Sequence, residues 1–382
     1  MSTKLRICII TNRFPASQDD VASPFVKDFY LGLKKEGIDT FVFTPAYNAD
    51  SVEEDENVFR FDWAGGEKVI GSLSFSNPKE LYHIRSFLSS GKTSLGHFVK
   101  EKQINRIMAL WALPSGWFAY WVKEKLRIPY SVWCLGSDIY VWAKKPILKG
   151  IIRKVLLNAD YLFADGFELK DKVEKLSGKS CGFLPSVRIL PKTDIVRTEI
   201  DKGKTNFIYV GRWEKEKGVD DLINAFKSVS QKHPQTHLYV IGWGSYENQM
   251  RELIRKFNLT DRIGLLGKVS AVTLGSYLKA CSCTVISSKR DSIPLVFSES
   301  LQASTPLIVT EVGDMGMLVR KFGLGKVVPP GNVGALAEAM NDFAEEGAKD
   351  YSENIKQALG LLSIRRAIED YLKMVDKDIG FP

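Results

Sequence analysis

No two cysteines stand in a C-x-x-C, and the five present (Cys8, Cys134, Cys181, Cys281, Cys283) are odd in number. Neither a disulfide framework nor a zinc site is indicated, and a reducing compartment fits. Long apolar runs are missing too. The longest uncharged stretch, Ile107 to Val122, has 16 residues and is broken by Pro114, Ser115 and Gly116, short of the roughly 20 apolar residues that span a bilayer. The N-terminus MSTKLRICIITNRFP turns polar early and lacks a small-residue cleavage site, which argues against a secretory signal. There is no low-complexity tract and no short-period repeat. The expected location is therefore the cytoplasm.

What is present is ordinary in amount and uneven in place. Hydrophobic residues make up 45% and charged residues 26%, so a packed globular protein is expected. At 382 residues the chain exceeds one core, since single domains stop growing near about 250–300 residues. The net charge is +8, and residues 123–154 alone hold eight Lys and Arg against two acids. A local basic surface favours an anionic partner: nucleic acid, phospholipid head groups or a lipid diphosphate.

Short β-rich runs alternate with helical patterns. LRICIIT, PFVKDFYLGLKKEG and TFVFTP give a βαβ unit. Residues 50–100 read as less regular, and the alternation resumes with IMALWA, SGWFAYWVKEKLR, YSVWCL, PILKGIIRKVLLN, YLFADG and FELKDKVEKLSG. Residues 188–205 lack apolar periodicity. The same grammar restarts with FIYVGR and HLYVIGWG and continues through IGLLG, CTVISS and PLIVT. The expected fold class is α/β, with two doubly wound Rossmann-like domains and a ligand cleft between them, because such sheets bind outside the carboxyl ends of their strands. The boundaries read 1–190, a linker at 191–204, a second domain at 205–362, and a closing helix at 363–382 that packs back toward the first domain.

FIYV runs into Gly211-Arg212-Trp213-Glu214-Lys215-Glu216-Lys217-Gly218 just before a helix. Arg212 and Lys217 are either solvated loop cations or a clamp for a diphosphate, for which a forked guanidinium and a point ammonium are suited. Downstream, KRDSIPLVFSESL sets Asp291 and Glu299 around Pro294. Gly242-Trp243-Gly244 reads as a tight turn into a helix, since a lone G-x-G is weak evidence for phosphate. Asp138, in GSDIYV, is either a turn or capping residue or lies near a reacting group. Residues 146–157 carry apolar rows (147, 151, 155 and 148, 152, 156) beside Lys145, Lys149 and Arg153. That helix either packs in the first domain or lies on an anionic membrane.

G-R-x4-K-G after a strand, followed 74 residues later by carboxylate-x2-P-x4-carboxylate, resembles the retaining GT-B glycosyltransferases of family 4, group 1. Ser304-Thr305-Pro306-Leu307, Val312-Gly313-Asp314, VVPPGNVGALAEAM, WALPSG and GSDIYV are similar to further family segments. The resemblance implies that Arg212 and Lys217, beside Gly211, hold the donor diphosphate, Glu299 accepts from ribose hydroxyls, and Asp291 touches the transferred sugar. Backbone N–H groups around Ile293, Pro294, Leu295 and Val296 would meet phosphate, and Lys268 with Val269 would meet the nucleobase. It further implies front-face transfer with retention, the leaving diphosphate helping to deprotonate the acceptor, with no metal and no cofactor. The only D-x-D, Asp376 and Asp378, lies at the C-terminus far from any strand end.

The chain departs from the family in Asp291 for Glu, Ser292 for Gly, and Leu135 and Leu110 where histidines are usual. Donor recognition therefore does not copy across. The implied function is transfer of a hexosyl unit from a nucleotide diphosphate sugar, UDP before GDP, to a hydroxyl of a glycan or lipid-linked saccharide in cell-surface polysaccharide or glycolipid synthesis. The alternatives are a nucleotide-sugar epimerase, a phosphorylase, or a silent GT-B binding subunit. The expected partners are the nucleotide sugar, the acceptor, and an anionic membrane at the inner face of the cell, met through Lys145, Lys149 and Arg153; nucleic acid is not expected.

Overall fold

The computed structural model describes residues 4–17, 20, 23–47, 55–66, 68–74, 76–191, 200–201, 203–346 and 349–375. Two compact units divide the chain. One comprises residues up to Ser186 together with those from Ala367 onward, and the other runs from Val187 to Arg366. The first boundary falls just before the expected 190. Most of the expected linker and the Asp376/Asp378 pair lie outside the described residues.

In the first unit, β1 (Arg6–Ile10), β2 (Asp39–Pro45), β3 (Val58–Phe61), β4 (Arg106–Leu110), β5 (Tyr130–Cys134), β6 (Tyr161–Ala164) and β7 (Gly182–Phe183) form one sheet in the order β3-β2-β1-β4-β5-β6-β7. Among the described residues every pairing in this sheet is parallel. Central strands are buried along their whole length, as in RIMAL and YSVWC, which is what helices on both faces require. The order reverses between β1 and β4, the switch point of this unit.

The stretch expected to be less regular holds a 24-residue helix, Pro78–Glu101. Serines and two glycines hide its periodicity, because both are weak helix formers. Gly91 has a packing reason: a Cβ there would stand 2.5 Å from the Phe118 ring. The helix Ile364–Val375 carries the chain back into the first unit, where Tyr371 meets Phe29 and Phe163 at ring separations of 5.7 and 5.6 Å.

In the second unit, β8 (Thr205–Val210), β9 (Thr236–Ile241), β10 (Ile263–Gly267), β11 (Cys283–Ile286), β12 (Leu307–Thr310) and β13 (Gly325–Val328) order as β10-β9-β8-β11-β12-β13. All these pairings are parallel as well. The chain reverses direction across the sheet between β8 and β11. Helix Val219–Lys232 shows why the periodicity was readable: Val219, Leu222, Ile223, Phe226 and Val229 are all buried on one face. The five cysteines are buried free thiols, and burial pushes Cys181 up to about 12, far from thiolate reactivity at neutral pH.

Candidate functional site

The loops leaving β8 and β11 meet at the second unit's switch point. Lys217 donates to both oxygens of Asp291, at 2.9 and 2.7 Å, although 74 residues separate them. Two further bonds hold this meeting in place: Ser287 Oγ donates to the Lys217 carbonyl at 3.1 Å, and Lys289 N–H to the Glu216 carbonyl at 2.8 Å. Gly218, at φ +65°, lets the strands approach, since a Cβ would lie 2.0 Å from the Ser287 carbonyl oxygen. Lys289 also grips Asp221 and Asp220 in the first turn of the next helix. Burial pulls its pKa down, but these two carboxylates outweigh that and hold it above the usual lysine range.

Arg212 is exposed and donates to Glu214 at 2.7 Å. An exposed pair of this kind contributes about 0–1 kcal/mol, so the guanidinium is easily drawn to a stronger anion. Its backbone is less free. Tyr209 Oη donates to the Arg212 carbonyl at 3.0 Å, and burial, followed by the charge of Asp291, raises the phenol's pKa and keeps it a donor.

The G-x-G does more than turn. Trp213 N–H donates to the Trp243 carbonyl at 2.7 Å, and Tyr246 N–H donates to the Trp213 carbonyl at 2.9 Å. Cβ atoms on Gly242 and Gly244 would meet backbone of Gly211 and Trp213 at 1.8 and 2.2 Å. These glycines therefore press one loop onto the other and fix where Arg212 emerges. Gly313, at φ +53°, does the same for the acidic loop, with a Cβ position 2.4 Å from the Asp291 carbonyl oxygen.

Helix Leu295–Gln302 follows Pro294 with no side-chain cap and no acidic residue in its first turn, so its N-terminus favours an anion. Ile293, just before it, and Val296, in its first turn, are buried. Ser292 Oγ is buried and has no hydrogen-bond partner among the described residues. Glu299 is 3% exposed and accepts from Arg188 at 3.2 Å. Gln302 secures the same segment by donating to the Arg188 carbonyl at 2.7 Å and accepting from Leu190 N–H at 3.0 Å. Sequence reasoning missed Arg188, since no local pattern links residues 111 apart. It also missed that Lys268 sits 4.4 Å from the Trp243 ring centroid, a cation–π contact beside half-buried Val269.

In the first unit, Asp138 is fully buried. It accepts from Ala112 N–H at 2.8 Å and Ile139 N–H at 3.2 Å, tying the turn after β5 to the WALPSG loop after β4. Burial raises its pKa, opposed by these backbone donors. The bonds from Ala112 and Ile139 are backbone bonds, and through them Asp138 organises the two loops. Helix Pro146–Asn158 divides its roles: Ile152, Val155 and Leu156 are buried in the core, whereas Ile147, Ile151, Lys145, Lys149 and Arg153 face solvent.

The family model for glycosyl transferases group 1 matches residues 192–358. The chain is 30% identical, over 90% of each sequence, to a Bacillus subtilis (strain 168) protein named as a glycosyltransferase of teichuronic acid biosynthesis, TuaC. It is 27% identical to an uncharacterized glycosyltransferase of Methanocaldococcus jannaschii, covering 75% of this chain and 74% of that one. Sucrose-phosphate synthase from Thermosynechococcus elongatus has a similar fold, with a TM-score of 0.78, 19% identity and coverage of 98% and 99%. HepE of Anabaena, solved with UDP and glucose, gives a TM-score of 0.76, 14% identity and coverage of 98% and 100%. A β8–β11 switch point armed with Lys217, Asp291 and Arg212, and a relative this extensive, lead to one conclusion: the chain belongs to the group 1 glycosyltransferases, with the GT-B fold.

Proposed function

We propose that the protein transfers a hexosyl unit from a UDP-sugar, with retention and without a metal, to a hydroxyl of a lipid-linked saccharide or glycan during cell-surface polysaccharide or glycolipid synthesis. The observation that carries this reading is the Lys217–Asp291 pair at the switch point. It is a charge pair that a donor would separate. Diphosphate draws Lys217 and Arg212, and Asp291, released, accepts from the hexose hydroxyls as an acceptor-only group. As the glycosidic C–O bond breaks, charge grows on the diphosphate oxygen, where two cations and a helix N-terminus lie in wait. That oxygen takes the proton of the attacking hydroxyl, so no protein nucleophile is needed. Glu299, balanced by Arg188, receives ribose hydroxyls, and Lys268 with Val269 borders the base.

The UDP-bound HepE structures and the relative named for teichuronic acid support the choice of donor and product class. Membrane contact through Lys145, Lys149 and Arg153 belongs to the same proposal; among the described residues no helix is long and apolar enough to cross a membrane. The test is thermal shift with UDP, GDP and ADP, then transfer from a labelled UDP-hexose. UDP at a hundredfold excess over its dissociation constant should stabilise by about 2.7 kcal/mol. Stabilisation by GDP or ADP and not by UDP would overturn the donor.

A further inference from the structure

The first unit contains a cavity that the transfer reading does not use. It has a volume of about 250 Å³ and is lined by Ile70, Leu88, Trp117, Trp142, Leu148 and Ile151, among other apolar groups. Apart from the two indoles and Lys145, no lining side chain can form a hydrogen bond. At its rim Ile147 is 80% exposed and Ile151 37%, an unusual display of aliphatic surface on one helix. Gly71 helps keep it shaped, since a Cβ there would stand 3.1 Å from the Trp142 ring.

On the other side of the same helix, Lys149 and Arg153 join Lys172 and Lys175 around a hollow of about 500 Å³. No acidic residue lines either space, and of the four cations Lys172 is already paired with Glu168. Lys92 adds a further cation, 5.6 Å from the Trp117 ring centroid.

We propose that this cavity receives the hydrocarbon chain of a lipid phosphate acceptor, with the phosphate held by Lys145 at its rim. A peptide entering so apolar a space would bury N–H and C=O groups without partners. A hydrocarbon asks for none. An apolar cavity of about 150 Å³ holds a benzene-sized guest, and this one accommodates a longer run of chain. Charge complementarity selects the head group: a cationic or neutral amphiphile would forgo Lys145, the one charged residue of the lining. The inference rests on reading the acceptor as lipid-linked, and its test is separate from the test of transfer.

The probe is a series of alkyl phosphates from butyl to dodecyl, below their micellar concentrations, with a terminally brominated chain to quench Trp117 and Trp142. Affinity should rise about fourfold per methylene and level off when the cavity is full. Ile151→Phe, which occupies the space, and Ile147→Asp, which charges its rim, should each weaken dodecyl phosphate at least tenfold. Both sites are exposed enough to keep the fold, and the UDP-induced rise in melting temperature should be unchanged. Inorganic phosphate should not quench. Affinity independent of chain length, or unaltered by both variants, would overturn the proposal. So would equal quenching by vesicles of brominated phosphatidylcholine, a zwitterionic lipid with no anionic phosphomonoester, which would assign the surface to the bilayer at large. Chain-length-dependent binding without hexosyl transfer would refute the transfer reading and leave this one standing.

Discussion

The two units wind their sheets by the same rule, each reversing order at its first strand, yet they arm their switch points differently. In the second unit the loops after β8 and β11 present ionic side chains that pair with each other at the surface or just beneath it, Lys217 with Asp291 and Arg212 with Glu214. In the first unit the carboxylate at the corresponding end of the sheet, Asp138, is fully buried and tied to backbone N–H groups. Side-chain pairs exchange partners easily, whereas a buried carboxylate held by backbone does not. One scaffold thus yields a site that can trade its contacts for a charged ligand and another that fixes loop shape.

The contrast can be broken by substitution. Gly242→Ala should have the largest effect, because φ is +141° and the new Cβ would lie 1.8 Å from a carbonyl oxygen. We expect a loss above about 4 kcal/mol, seen as collapse of the second unit's chemical-denaturation transition. Arg188→Ala should cost about 3–5 kcal/mol by leaving Glu299 buried without its cation, and Arg188→Met with Glu299→Gln should recover much of it in the same denaturation assay. Lys217→Ala should leave the fold intact and raise the transfer barrier by about 2.7–4 kcal/mol, a hundredfold or more in turnover; near-normal turnover would refute the clamp.

Asp138→Asn is the smallest and tests the other unit. A carboxyl whose folded pKa is raised binds its proton more tightly in the native state, so its contribution falls as pH rises from about 4 through that raised value. The variant should remove this term, and the difference in melting temperature between wild type and Asp138→Asn should vary over that window. A difference that stays flat would show that burial does not govern Asp138.

Much of this division could be read from local sequence. The G-R-x4-K-G loop and the two carboxylates around Pro294 announce themselves because a strand, a glycine turn and a helix must follow in order. Helix Val219–Lys232 was legible for the same reason, whereas Pro78–Glu101 was not, because Gly91 is chosen by the Phe118 ring and not by helix propensity. Arg188 was invisible since its meaning lies 111 residues away in Glu299. The aliphatic rows of helix Pro146–Asn158 were plain in the sequence. That they split, one end entering the core and the other bordering a cavity, depends on what the short 3-10 turn Ile70–Ser72 and Trp142 bring against it.

Helix Ile364–Val375 also sets an order of assembly. As the chain leaves the ribosome, all residues of the second unit are available before Tyr371 can reach Phe29 and Phe163. The unit that begins first is therefore the one that finishes last, its aromatic core open until the final helix arrives.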